Sequence, residues 1–255
     1  MLRIIPTEHF TGVAIRGDFQ DFDELVDSIY RLAEIDEEAE DFYYGVKMRL
    51  LAACYEFRHA YMGDREILLE DNGMNEGLMK YHKKITPTQN IYYGMRLLFP
   101  EAIFLAAAVP EMYLFSCGKY GKKGKQREPK LPGYLYGDYL RDKANLDVFC
   151  AGVWQALGEV IGDDQLEKVL NWSKRIDGTY VDYVTQYIDK CNIELLKTPF
   201  EKRKDKLRGI AKRILVKPTG YQTMEADLKY WAKEYKTSIY ELEDSGLVYP
   251  EEIEW

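Results

Sequence analysis

The segment Tyr43–Gly73, YYGVKMRLLAACYEFRHAYMGDREILLEDNG, reads as a helix, a turn, a strand and a second turn. Val46, Leu50, Ala53, Cys54, Phe57 and Tyr61 recur at three- and four-residue steps, so one stripe of the helix is buried. Met62-Gly63-Asp64 forms a tight turn, Glu66–Glu70 a short apolar strand, and Asn72-Gly73 the next turn. Glu56 and His59 lie one helical turn apart beside the buried stripe, and Asp64, Arg65 and Glu66 follow directly after it. This is the densest group of ionisable side chains that regular backbone would hold in place.

Upstream, Arg3–Ile5 and Gly12–Arg16 are β-branched runs separated by a turn-like segment, which predicts a hairpin. A helix is expected to start near Asp21, with Glu24 as the reciprocal capping partner and Phe22, Leu25, Val26, Ile29, Leu32 and Ala33 as its apolar face. Downstream come a helix over about Asn75–Lys84, a break at Pro87, a strand Asn90–Phe99, and a further helix with Pro100 in its first turn. The order ββααβαβα gives a four-stranded sheet with packed helices, and it allows parallel or antiparallel pairing.

From Tyr134 onward the pattern is helical. Leu146, Phe149, Val153, Leu157 and Val160 form one face, ended by Gly162. Leu166, Val169, Leu170 and Ile176 form the next, ended by Gly178, and Val181, Val184, Ile188, Cys191 and Leu195 a third, stopped by Pro199. Leu207, Ile210, Ala211, Ile214 and Leu215 form a fourth, stopped by Pro218; a last helix, Met224–Lys236, is expected to bury Leu228, Trp231 and Tyr235. No fixed repeat length is present, so a small bundle is expected rather than a solenoid. The fold class is α+β: a sheet domain over residues 1–116, a basic Gly/Pro-rich linker or loop over 117–133, and a helical bundle over 134–255.

Composition narrows the class further. A chain of 255 residues with 46% apolar and 14% aromatic residues has a sizeable core and is not disordered. Its four cysteines, Cys54, Cys117, Cys150 and Cys191, are far apart, and MLRIIPTEH does not read as a secretory leader, so a reducing cytoplasm is expected. The apolar run Leu97–Phe115 contains Glu101 and Glu111, each costing about 3 kcal/mol at bilayer depth, so it is expected inside a soluble core and not a membrane. The net charge of −8 is uneven: residues 1–116 carry 11 Lys+Arg against 20 Asp+Glu, residues 117–220 carry 21 against 14, and residues 221–255 carry 3 against 9. A basic segment between acidic ends suits either an anionic partner or two halves that attract one another.

The strings GDFQDFDEL (Gly17–Leu25), CYEFRHAYMGDRE (Cys54–Glu66) and DNGMNE (Asp71–Glu76) resemble an uncharacterised family of bacterial proteins over roughly the first 115 residues. The resemblance implies no catalytic residues; it supports treating that region as one unit.

His59 with Glu56, Asp64 and Glu66 forms the candidate catalytic group, since an imidazole beside a carboxylate is suited to moving protons. The same residues would equally anchor the helix end, where cations favour the orphan carbonyls. Three isolated histidines without ligand spacing give no zinc site, and Asp36–Asp41 lacks the glycine and alternating ligands of a calcium loop. No cofactor is expected: nucleophile-elbow, zinc-protease and dinucleotide motifs are absent, and Gly118–Lys125 has neither phosphate-loop spacing nor, given Pro129 and Pro132, the helix that must follow. Lys122, Lys123, Lys125 and Arg127, with Lys204, Lys206, Arg208 and Arg213, are candidate phosphate contacts. Three readings follow: a cytoplasmic binding or regulatory protein acting through a protein partner or a homo-oligomer; an enzyme on phosphodiester or nucleotide substrates; and a nucleic-acid-binding protein.

Overall fold

The computed structural model describes residues 2–33, 42–120, 135–173 and 178–255, with side chains up to Leu114 in the second span. The acidic run Asp36–Asp41 and the basic residues Lys122, Lys123, Lys125 and Arg127 lie outside the described residues.

Strands β1 (Arg3–Pro6) and β2 (Gly12–Gly17) form the expected antiparallel hairpin, with Ile4 opposite Ile15. Helix α1 (Phe19–Leu32) begins earlier than the sequence suggests. Its cap is Asp18, whose side chain accepts from the Asp21 N–H at 2.9 Å, while Asp21 Oδ2 accepts from the Asp18 N–H at 3.1 Å. The reciprocal box is therefore closed by Asp21 and not by Glu24.

Helix α2 (Tyr44–His59) buries Val46, Leu50, Ala53, Cys54 and Phe57 as expected, and a π-helical turn over Ala60–Asp64 ends it. Gly63 sits there at φ 89°, a conformation that costs glycine little. Next come β3 (Glu66–Asp71), α3 (Glu76–His82) capped by the Asn75 side chain, and β4 (Gln89–Leu98). Every strand pair is antiparallel and the order is β1-β2-β4-β3, so β4 returns between β2 and the edge strand β3.

Helix α4 (Phe99–Tyr120) is buried from Phe99 to Tyr113 at every position except Pro110, which is half-buried. It packs against α2, α5 (Tyr136–Ile161), α7 (Gln186–Leu196) and α8 (Phe200–Val216). With α6 (Asp163–Ser173) and α9 (Thr219–Tyr235), the described residues hold nine α-helices and one four-stranded sheet, an α+β fold. One hydrophobic cluster runs from Ile4 and Ile15 through Phe104 to Ile210 and Tyr221. Among the described residues no helix is long and apolar enough to cross a membrane. Cys54, Cys150 and Cys191 are buried free thiols, and burial pushes the Cys54 thiol up to about 11.

Two helices depart from the sequence pattern. Helix α7 starts at Gln186, so Val181, in a turn, and Val184, in irregular chain, both precede it. Helix α9 starts directly after Pro218, and its buried residues are Tyr221, Leu228 and Ala232. Trp231 and Tyr235 are instead 47% and 65% exposed, because α9 is the outermost helix and only one narrow stripe of it meets the core.

Beyond α9 the chain runs back over the body without a helix or strand. The Gln186 side chain holds it at two points, donating to the Leu242 carbonyl at 2.6 Å and accepting from the Asp244 N–H at 3.0 Å. Tyr240 packs on Tyr44 with ring centroids 4.9 Å apart. Gly45 makes room for this contact: a Cβ there would sit 2.8 Å from the Tyr240 ring and 3.0 Å from the Tyr183 carbonyl. Gly45→Ala is expected to destabilise by about 1–3 kcal/mol through overpacking, despite alanine's better helix propensity. Gly209→Ala on α8, where a Cβ meets nothing within 4 Å, is expected to stabilise by up to about 1 kcal/mol. Urea unfolding of the two variants checks the opposite signs.

Candidate functional site

Arg49 projects from α2 toward the buried face of α4. Its Nη1 donates to Glu101 Oε2 at 2.8 Å, and its Nη2 donates to the Thr185 carbonyl at 2.9 Å and to Asp189 on α7. Tyr249, in the C-terminal tail, donates its hydroxyl to Asp189 Oδ1 at 2.7 Å and accepts from Asn192 Nδ2 at 3.0 Å. Glu101 is 8% exposed and Asn192 2% exposed; Asn192 Oδ1 is buried and has no hydrogen-bond partner among the described residues.

Arg49, Glu101, Asn192 and Tyr249 of this cluster line a cleft of about 480 Å³, together with Ala52, Tyr55, Glu56, Leu97 and Leu98. Burial raises the Glu101 carboxyl above the usual carboxylate range; the nearby Asp189 charge adds to this, and Arg49 opposes it without cancelling it. Burial works against the Arg49 charge, yet Glu101 and Asp189 together hold the guanidinium above its ordinary range. Burial first, and the Asp189 charge with it, raises the Tyr249 phenol. Chemically, the cleft offers a carboxyl that keeps its proton more readily than usual and one unused acceptor at Asn192.

Of the candidate catalytic residues, Glu56 lines this cleft, while His59, Asp64 and Glu66 are not among its lining residues. His59 Nδ1 is 2.8 Å from Asp64 Oδ2, and the His59 ring packs on Tyr55 at 4.2 Å between centroids. Glu56 is held two-pronged by Arg65, at 2.8 and 3.1 Å. Glu66 turns away and pairs with Arg96 on β4. The fold thus brings His59 and Asp64 together, keeps Glu56 beside them in its own ion pair, and places Glu66 with another partner.

On α8, Lys206 and Arg213 both pair with Glu194 of α7, at 2.7 and 2.6 Å. Burial opposes the Glu194 charge, but these two cations outweigh it and lower its carboxyl. Lys204 and Arg208 are exposed. Among the described residues no group of three or more His, Cys, Asp or Glu side chains is arranged to hold a metal ion.

In the sequence Glu101 stands out only as a charge in an apolar run. Arg49, Asp189, Asn192 and Tyr249 carry no sequence signal, because they are polar residues on three separate segments with no common spacing. The available signal was Glu101 itself: a carboxylate in a buried helix requires a partner.

The raised carboxyl gives a sign to pH dependence. A group whose folded pKa lies above its unfolded value contributes stability that is complete below the unfolded pKa and is lost as pH rises through the folded one. Glu101→Gln removes this titration. Its Tm relative to the wild type is therefore expected to climb as pH rises from about 4.5, the usual glutamate range. Thermal melts of both proteins across a pH series measure the difference, and a flat or falling difference would show that Arg49 dominates.

Comparison with curated proteins and with solved structures finds no match to this chain. Family comparison does: the match covers residues 2–255, far beyond the first 115 in which likeness is visible by eye, and the chain belongs to the family of the domain of unknown function DUF6904.

Proposed function

We propose that this is a bacterial, cytoplasmic binding protein of a regulatory kind, which acts through contact with a second copy of itself. The observation that carries the reading is the arm formed by β3, α3 and the outer half of β4. Pairing of Ile67 with Tyr93 and of Leu69 with Ile91 puts these side chains on the same sheet face as Met95 and Ile15, which are core residues. Past the π-helical turn that face is uncovered, and Ile67, Leu69 and Ile91 are all exposed. Helix α3 buries none of its residues, and its Tyr81, like Ile85 just beyond it, stands in solvent.

Charge favours a second copy as the occupant. Glu70 and Asp71 end the edge strand, while Lys80, Lys83 and Lys84 cluster at the end of α3, and none of these forms an ion pair among the described residues. A two-fold contact would lay each acidic strand end across the basic end of the other α3, with the apolar faces between. Acidic residues on β3 disfavour direct strand-to-strand pairing of two copies, so the contact is face to face. Each apolar side chain fully withdrawn from water contributes about 1.5–3 kcal/mol, and two-fold symmetry counts each one twice. That sum rivals the roughly 4–15 kcal/mol lost on association.

Sedimentation velocity is expected to give twice 29.8 kDa for the wild type and the monomer mass for Leu69→Lys with an unchanged circular dichroism spectrum. Lys83→Glu/Lys84→Glu and Glu70→Lys/Asp71→Lys should each be monomeric alone and pair when mixed. A wild type that stays monomeric at its highest soluble concentration overturns the reading.

A second reading, an enzyme on phosphodiester or nucleotide substrates, draws on the His59–Asp64 pair, with Tyr55 as a ring on which a base could stack and Glu56 lining the cleft. Nucleic-acid binding by α8 has less support, since two of its four candidate cations already pair with Glu194.

A further inference from the structure

A second cavity, of about 570 Å³, lies between α9 and the returning tail and shares no lining residue with the cleft. Its volume is that of a small-molecule site. The walls combine an aromatic pair with an excess of carboxylates. Trp231 and Tyr235, expected in the core, open onto the cavity with their rings 5.4 Å apart. Three carboxylates, Asp227, Glu243 and Asp244, line it against one ammonium, Lys190. None of the three carboxylates is in an ion pair among the described residues; Asp244 accepts from the Gly246 N–H at 2.9 Å. Met224, Leu228 and Leu242 supply an apolar floor.

The tail side of the cavity is fixed. The Gln186 side chain grips the chain on either side of Glu243 through the Leu242 carbonyl and the Asp244 N–H, so the acidic wall is set by the core helix α7.

We infer that this cavity binds an alkylammonium group: aliphatic stem on Leu228 and Leu242, cationic head between the carboxylates and the Trp231 and Tyr235 rings. Excess negative charge selects a cation, ring faces attract it further, and the apolar floor prefers a carbon chain to a hydrated metal ion. A free linear polyamine and a lysine side chain of another protein share this chemistry.

Isothermal titration calorimetry on the full chain tests the inference, with spermidine, a lysine-containing peptide and its norleucine counterpart as probes. Saturable one-site binding of spermidine, weakened about tenfold or more in Trp231→Ala and in Asp227→Asn/Glu243→Gln and largely restored in Trp231→Phe, supports a free amine as the ligand. Tighter binding of the lysine peptide than of spermidine, lost in the norleucine peptide and in the same variants, supports a protein side chain. Three results would each overturn the inference: no binding of either amine, binding that survives both variants, or unsaturable uptake of the kind any acidic protein shows. Trp231 and the two carboxylates are exposed, so these variants leave the core unchanged.

Discussion

A helical stretch buried on every side cannot carry an ionisable group without a partner brought from elsewhere, and Phe99–Tyr113 of α4 carries two, Glu101 and Glu111. Glu101 reaches Arg49 on α2, and Glu111 accepts from the Tyr180 N–H at 2.9 Å. An unpaired buried carboxylate costs several kcal/mol, so α2 and the segment before α7 are held to α4 in one register. Arg49 extends the constraint by also binding Asp189 and the Thr185 carbonyl. The sheet side and the helical side of the molecule meet through this cluster as well as through apolar packing.

A second buried cation ties the ends of the chain together. Arg203 on α8 is 5% exposed, and its hydrogen bonds go to neutral oxygens: the carbonyls of Thr198 and His9, at 3.0 and 3.1 Å, and the Thr11 hydroxyl at 2.7 Å. Thr11 in turn donates to the Glu254 carbonyl. The guanidinium fork satisfies several carbonyls at once, which suits arginine and not lysine to this place. With the tail fastened in this way and by Gln186, it becomes a structural wall, giving Tyr249 to one cavity and Leu242 to Asp244 to the other.

Much of this architecture was legible because short-range chemistry specified it. The stripe on α2, the faces of α5 and α8, the hairpin β1–β2 and the order of strands and helices follow from spacing alone. What spacing could not supply was anything set by contact between distant segments. Whether Trp231 is inside or outside depends on how many neighbours α9 has, and the outermost helix has few. The antiparallel placing of β4 between β2 and β3 pairs strands far apart in sequence, which spacing within either strand does not specify. The site suffered most: Arg49 and Asp189 are 140 residues apart, and Tyr249 lies in a segment with no periodicity at all. His59 and Asp64 were visible because they are five residues apart, which says nothing of whether they stand over a cleft.

The cluster around Arg49 also bears on what the cleft is for. Burying an arginine between two carboxylates is a weak way to gain stability, since well-packed apolar side chains of similar volume often do as well or better. A fold selected for stability alone would have little reason to place Glu101 at a solvent-accessible cleft or to leave Asn192 Oδ1 there without a partner among the described residues. The arm shows the same pattern: Gly63 ends the covered part of the sheet face, and the strand beyond it keeps Ile67 and Leu69 where leucine-to-polar changes would cost the monomer little. Apolar residues retained on an uncovered face, and polar residues retained in a covered one, both run against the stability of the isolated chain. Both fit the proposal that those surfaces are completed by a bound partner.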